Sequence, residues 1–204
     1  MYIPDIYKNE NQQEIRKFLQ ENSFGILINQ SNGKLCATHI PLELDSNNQG
    51  KDILQGHISK ENPQWNGFEA NDQILAVFSG PHNYISSSWY DHENVPTWNY
   101  VAVHIYGTIK IIEGEAVIES LKKLVNKYEK NSENPVRIEA LSKKTMLQTR
   151  GIVAFEIEIT EIQATRKMSQ NRDNKNYQNI IAELEKVNTN QSIATATEMK
   201  KCPI

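Results

Sequence analysis

Cysteine is almost missing from this 204-residue chain. The two present, Cys36 and Cys202, lie far apart and share no ligand spacing, which excludes a disulfide framework and a cysteine-based zinc site. Long apolar runs are missing too: no stretch approaches the ~18 residues a membrane span requires. Positive charge is not in excess, with 22 Lys and Arg against 25 Asp and Glu, a net charge of −3 and a pI near 6.0. A domain dominated by nucleic-acid binding must neutralise phosphates and is usually basic, so that class loses its support. Lys122-Lys123 and Lys143-Lys144 fall on predicted helices and read as solvated faces. There is no Gly-x-Gly-x-x-Gly, no P-loop, no Gly-x-Ser-x-Gly and no Cys-x-x-Cys, which removes the Rossmann, nucleoside-triphosphatase and hydrolase readings. Met1-Tyr2-Ile3-Pro4-Asp5 carries neither the basic nor the apolar region of a signal peptide. The expectation is a cytoplasmic protein with no membrane association.

What remains is ordinary globular material, 38% hydrophobic and 23% charged, long enough for one core with a small appendage. Asn9 is placed to cap a helix over 10–21, with Ile15, Phe18 and Leu19 on one face. Strands are predicted over 24–30, 35–44, 53–58, 73–79, 99–112 and 152–161. Ser31-Asn32-Gly33-Lys34 signals a tight hairpin, because Asn-Gly tolerates the positive φ of a type I′ turn. Ser59 is predicted to cap a short helix over 60–68. Further helices are predicted over 115–130, 138–149 and 177–187. Residues 81–97 read as a long ordered loop, since loops of that length in compact domains are usually functional. Residues 1–187 form the predicted domain, and the polar 188–204 a loosely held tail. Six strands with helices at the hairpin ends predict a mainly β (α+β) fold, a closed antiparallel barrel with peripheral helices.

The densest feature is 80–107, where Trp89, Trp98, Tyr84, Tyr90 and Tyr100 are interleaved with hydroxyls and amides. Aromatic faces hold the plane of a flat ligand and short polar groups fix its orientation, so this pattern suits a cofactor site. Gly56-His57-Ile58-Ser59-Lys60 ends a strand and opens the predicted 60–68 helix. Ser59 and Lys60 there suit a phosphate, or equally a plain serine cap with a solvated lysine. His39 and His57, on strands read as neighbours, would donate to a phosphate or a flavin edge, or be satisfied by backbone. Arg166, Lys167 and Arg172 surround Ser169-Gln170-Asn171, a set suited to phosphate or to the carbonyl edge of a ring, or to a basic linker. His82, Asp91, His92 and Glu93 match no closed zinc pattern, and no metal is predicted.

These residues carry a family resemblance. Met1-Tyr2-Ile3-Pro4, Thr38-His39-Ile40-Pro41, Gly56-His57, Asn62-Pro63-Gln64-Trp65, Gly80-Pro81, Tyr84-Ile85-Ser86, Ser88-Trp89-Tyr90, Val95-Pro96-Thr97-Trp98-Asn99-Tyr100 and Lys167-Met168-Ser169-Gln170-Asn171-Arg172 occur in the order seen in the PaiB-type FMN-binding negative transcriptional regulators, which the chain resembles. Ser87 stands where that family usually has Pro, and Ser59-Lys60 where it has an Ala-Arg pair. The resemblance implies an antiparallel FMN-binding split β-barrel and a homodimer with the flavin near the subunit interface. On that reading the phosphate meets His57, Ser59 and Lys60, with His39, and the ring lies near Tyr84, Ser86, Trp98, Lys167, Ser169, Gln170 and Asn171. The function implied is a negative regulator or flavin-state sensor. The alternative is a flavin-dependent oxidoreductase or flavin reductase, and a haem reading using His82, His92 and His104 stands third. No basic recognition helix is visible, so direct DNA binding is not expected.

Overall fold

The structure is a computed structural model that describes residues 1–68 and 73–202. Helix α1 (Gln12–Glu21) precedes four strands, β1 (Phe24–Ser31), β2 (Lys34–Pro41), β3 (Glu43–Ser46) and β4 (Asp52–Ser59). Two long strands follow, β5 (Gln73–Ile85) and β6 (Thr97–Ile112), then α2 (Glu115–Tyr128) and the short α3 (Lys143–Met146). Strand β7 (Ile152–Lys167) leads into α4 (Asn174–Val187) and α5 (Asn190–Lys200). One seven-stranded sheet runs in the order β2-β1-β5-β6-β7-β4-β3. The registers of β1 with β2, β1 with β5, β3 with β4, and β4 with β7 are all antiparallel.

The chain divides into two compact units. The first is Met1–Phe18, Phe78–His104 and Gln163–Ile204; the second is Leu19–Val77 and Ile105–Ile162. Strands β5, β6 and β7 each contribute to both.

In the second unit burial alternates along β1 and most of β6, while β4 and β7 each bury consecutive residues. Leu27, Leu42, Leu54, Ile105, Ile109, Phe155 and Ile157 are fully buried, and Phe68 meets Phe155 edge-on with centroids 5.2 Å apart. Burial of each such side chain is worth roughly 1.5–3 kcal/mol. Strand β2 also comes alongside β4, which brings the two ends of the sheet order together as a barrel requires. His39 and His57 therefore sit on strands that approach but are not ladder partners. The Asn-Gly turn forms as expected, with φ of 51° at Asn32 and 76° at Gly33.

Several local expectations change. The α1 cap is Asn11, whose Oδ1 accepts from Gln13 N at 3.1 Å and Glu14 N at 3.2 Å; Asn9 instead accepts from Asn11 N. The predicted 35–44 strand breaks into β2 and β3 around Leu42. The predicted 60–68 helix is only a 3-10 turn, Pro63–Gly67, capped by Asn62 rather than Ser59. The predicted 138–149 helix is split, because Ser142 is extended and caps α3 by accepting from Thr145 N. Strand β5 continues through Pro81 to Ile85, so the irregular segment is shorter than predicted. Its registered pairing with β1 covers Leu75, Ala76 and Val77, and Pro81 lies beyond it, where a missing N–H costs no bond to β1.

The first unit holds a separate apolar cluster: Ile85, Tyr90, Val101, Met168, Tyr177, Ile180, Ile181, Leu184, Ala196 and Met199, flanked by Phe18 and Trp89. Two of its members, Ala196 and Met199, come from the predicted 188–204 tail, where helix α5 forms; residues 203–204 of that tail lie outside the described residues. Tyr177 ties α4 to α5, donating to Met199 O at 2.7 Å or Cys202 O at 2.6 Å. Arg166 bridges Glu14 at 3.0 Å and Glu198 at 2.6 Å.

Candidate functional site

The predicted site residues fall into two sets, one in each unit, and each is described by itself.

The second unit carries His39, His57, Ser59 and Lys60. His39 is exposed on β2, opposite Ile26 of β1, with its ring stacked 6.3 Å from Phe24. His57 faces Ala154 in the β4–β7 ladder and lines a cleft of about 140 Å³ with Gln55, Glu43, Asp45, Lys123 and Lys127. Burial lowers its pKa below the ordinary 6.5, so it is a neutral imidazole at pH 7, able to donate from one nitrogen and accept at the other. The two cleft lysines are already matched, Lys127 to Glu43 at 2.6 Å and Lys123 to Asp45. Ser59 and His57 lie two residues apart on β4 and share a face. The Ser59 hydroxyl accepts from Glu61 N at 3.2 Å, a local turn rather than a helix cap. Lys60 is exposed; its backbone N–H donates to Gly151 O, and its carbonyl accepts from Trp65 Nε1 at 2.8 Å. The helix-dipole reason for a phosphate here therefore falls away, and the side-chain donors remain.

The first unit carries the aromatic set. Trp98 near the start of β6 is 53% exposed and Tyr84 near the end of β5 is 44% exposed. Their rings meet edge-on at 6.1 Å and 71°, and His82 lies 6.4 Å from the indole. Two large aromatics exposed side by side make an apolar patch of the kind that marks a binding surface. Ser86 caps the 3-10 turn Ser87–Trp89, accepting from Ser88 N at 3.2 Å.

What fixes Trp98 was not visible in its own motif. Its two neighbours point the other way, one tied to the last residue of β7 and the other to the turn after it. Lys167 Nζ donates to Thr97 Oγ1, and Ser169 Oγ donates to Asn99 Oδ1 at 3.0 Å. Asn99 is fully buried and donates in turn to Met199 Sδ at 3.4 Å. Ser169 adopts φ of 62°, a left-handed conformation uncommon outside glycine. Gln170 closes the same turn: its side-chain oxygen accepts from Met168 N at 2.7 Å and its amide donates to Arg166 O. Ser169 and Gln170 thus shape the turn, whereas Asn171 is exposed. The alternation of β6 carried the missed signal: with Trp98 outward, Thr97 and Asn99 must face in.

Asp91 and His92 bond to each other at 2.9 Å, and Asp91 also accepts from Lys175 at 2.7 Å and from Asn176. Lys175, followed by His92 and Asn176, holds the Asp91 carboxyl well below its usual range. Among the described residues no three His, Cys, Asp or Glu side chains are grouped to hold a metal.

The family described as "Putative FMN-binding domain" matches residues 1–161. The Bacillus subtilis protein named "Protease synthase and sporulation protein PAI 2" is 47% identical over 186 residues, covering 91% of this chain and 89% of that one. Among solved structures, the FAD and heme binding protein from Mycobacterium smegmatis superposes with a TM-score of 0.63 at 13% identity, covering 86% of this chain and 80% of that one. The flavocytochrome Anf3 from Azotobacter vinelandii does so with a TM-score of 0.64 at 16% identity, covering 87% and 78%. At such identities the likeness is one of fold, and that fold is the flavin-binding split barrel. With nearly half its residues shared across nine-tenths of a PaiB protein, and an FMN-binding family matched from residue 1 to 161, the chain belongs to the PaiB-type FMN-binding proteins.

Proposed function

We propose that this chain is a cytoplasmic flavin-responsive regulator, which binds FMN and acts through a protein partner rather than by reading DNA. The observation that carries it is the mounting of Trp98. An exposed indole braced from behind through Thr97 and Asn99 is a rigid platform for a planar ring, and Tyr84 supplies an edge beside it. Lys167 at the end of β7, Asn171 in the turn after it and Ser86 after β5 have the donors and acceptors to suit polar ring edges. His57, Ser59, Lys60 and His39 have the chemistry for the phosphate: a cation, a hydroxyl and imidazole donors. When bound, FMN supplies the redox chemistry, and the protein orients it and tunes its electronics. The name of the Bacillus relative supports the regulatory side, and the lack of excess positive charge supports action without direct DNA contact. Exposed Tyr84, Val95 and Trp98 favour a homodimer that covers them.

The test is titration of flavin-free protein with FMN, followed by fluorescence quenching. Saturable binding below roughly 100 μM, about −5 kcal/mol, is expected, and its absence sinks the reading. Lys60→Ala should weaken FMN and leave riboflavin nearly unchanged; equal loss of both would remove Lys60 from the phosphate. Light scattering of the flavin-loaded protein should give a dimer.

A flavin-dependent oxidoreductase is the second reading. It is favoured by the exposure of Trp98, which leaves a ring bound there open to a second planar molecule such as a nicotinamide. Anaerobic mixing with NADH or NADPH separates the two: rapid bleaching of bound flavin supports the enzyme, inert flavin the sensor.

A further inference from the structure

Two cations, Lys167 at the end of β7 and Arg172 in the turn after it, have no acidic partner among the described residues. Lys167 Nζ donates to Thr97 Oγ1 and stands 5.9 Å from the centre of the Tyr7 ring. The Arg172 guanidinium lies 5.0 Å over the ring of Tyr90. The two share one neighbourhood: burial lowers the Lys167 pKa, and the charge of Arg172 lowers it further. Tyr7 belongs to the same group, since burial raises its pKa while Arg172 pulls it down and Tyr90 pushes it up.

Asp91 and Asp173, the sequence neighbours of Tyr90 and Arg172, are engaged elsewhere, as are Glu14 and Glu198. Asp91 bonds Lys175, His92 and Asn176, and Asp173 caps α4 on Asn176. Glu14 and Glu198 are held by Arg166. Two polar atoms in the group are buried with no partner: Arg172 Nε, and the hydroxyl of Tyr90, a residue only 8% exposed. A buried hydroxyl without a bond is costly, and so are two like charges brought together without a counter-charge. An arginine stacked on an aromatic face keeps its planar fork pre-oriented for a flat anion.

We propose that Arg172, Lys167, Tyr7 and Tyr90 form a binding subsite for the oxyanion, carboxylate or phosphate, of a small-molecule ligand. The fork of Arg172 takes the anion, Lys167 adds charge, and the phenols of Tyr7 and Tyr90 donate hydrogen bonds. The subsite goes beyond the flavin reading, with which it shares Lys167 alone, and its anion chemistry does not need the flavin to be bound. The same chemistry would also suit the phosphate of FMN itself, so the experiment distinguishes the two sources.

Flavin-free protein is titrated with inorganic phosphate and with acetate by calorimetry, and with FMN and riboflavin by fluorescence. Saturable phosphate or acetate binding is expected, weakened about tenfold or more in Arg172→Gln and less in Arg172→Lys, which keeps charge without the fork. Tyr7→Phe, which removes one hydroxyl from a partly exposed ring, serves if Arg172→Gln does not fold; it too should weaken the anion. FMN should still bind in the presence of saturating phosphate. Absence of saturable binding of either anion, or binding unchanged in both Tyr7→Phe and Arg172→Lys, overturns the proposal. Displacement of FMN but not riboflavin by phosphate also overturns it, by assigning the cations to the cofactor's own phosphate. A failure of FMN to bind at all, with the anion result intact, would count against the flavin reading alone.

Discussion

The hydroxyl of Ser169 donates to Oδ1 of Asn99 at 3.0 Å, joining a left-handed turn after β7 to a fully buried amide on β6. Both partners are nearly inaccessible to water, so neither can find a substitute when the other is removed. Asn99→Ala leaves the Ser169 hydroxyl buried and unpaired, with an expected loss of about 1–3 kcal/mol in urea unfolding. The variant should also bind FMN more weakly, because the brace behind Trp98 goes with it. An unchanged unfolding midpoint would show that the turn is held by Gln170 alone.

Glycine positions give a sharp contrast within the second unit. A Cβ at Gly107 would sit 2.4 Å from the backbone oxygen of Glu158, and backbone cannot move aside as a side chain can. Gly107→Ala should lose about 3 kcal/mol or more. At Gly151 a Cβ meets nothing within 4 Å, and Gly151→Ala should stay within about 0.5 kcal/mol of the parent. Equal midpoints for the two variants in chemical denaturation would contradict the close approach of β6 and β7.

Met199 tests whether the C-terminal helix is structural. Its side chain is fully buried in the cluster with Tyr177 and Leu184. Met199→Ala should cost about 2–4 kcal/mol. A loosely held tail would give a change near zero by thermal or urea unfolding.

Acid stability follows from two histidines. Burial lowers the pKa of His57 below 6.5, and burial together with the N-terminal charge does the same for His104, whose Nδ1 is buried without a partner. Above 6.5 both states hold these rings neutral and the histidines are silent. Below it the unfolded chain takes up protons first, so stability falls from pH 6.5 down to the depressed folded values and levels off beneath them. His57→Gln should flatten that slope in denaturation curves collected between pH 7 and 5. A slope identical to the parent would remove His57 from the account.

The strands were legible because a half-buried strand writes its period directly into the chain. Burial alternates from Val101 to Ile109 as the apolar spacing there implies, and the register breaks at the end, where Ile112 and not Ile111 is buried. The hairpin at Asn32-Gly33 was legible because few pairs accept two positive φ values. Helix α5 was not, because its buried side chains include Ser192, Thr195 and Ala196, which make no apolar stripe. The 138–149 segment misled in the opposite way, with a helical pattern that Ser142 interrupts. Of the site, the aromatics and the Lys167 to Arg172 run stood out by composition. Their supports, Thr97 and Asn99, did not, since a small polar residue on an inner strand face looks the same whether it braces a site or fills a gap.

The sulfur of Met199 accepts the Asn99 amide in a place that solvent does not reach. An oxidant can find it only after α5 lifts away, and a sulfoxide, once formed there, is too polar and too large to go back. Sulfoxide at this one methionine would therefore accumulate as a record of how often the C-terminal helix lets go, and each such event would take one contact from Asn99 while leaving its bond to Ser169.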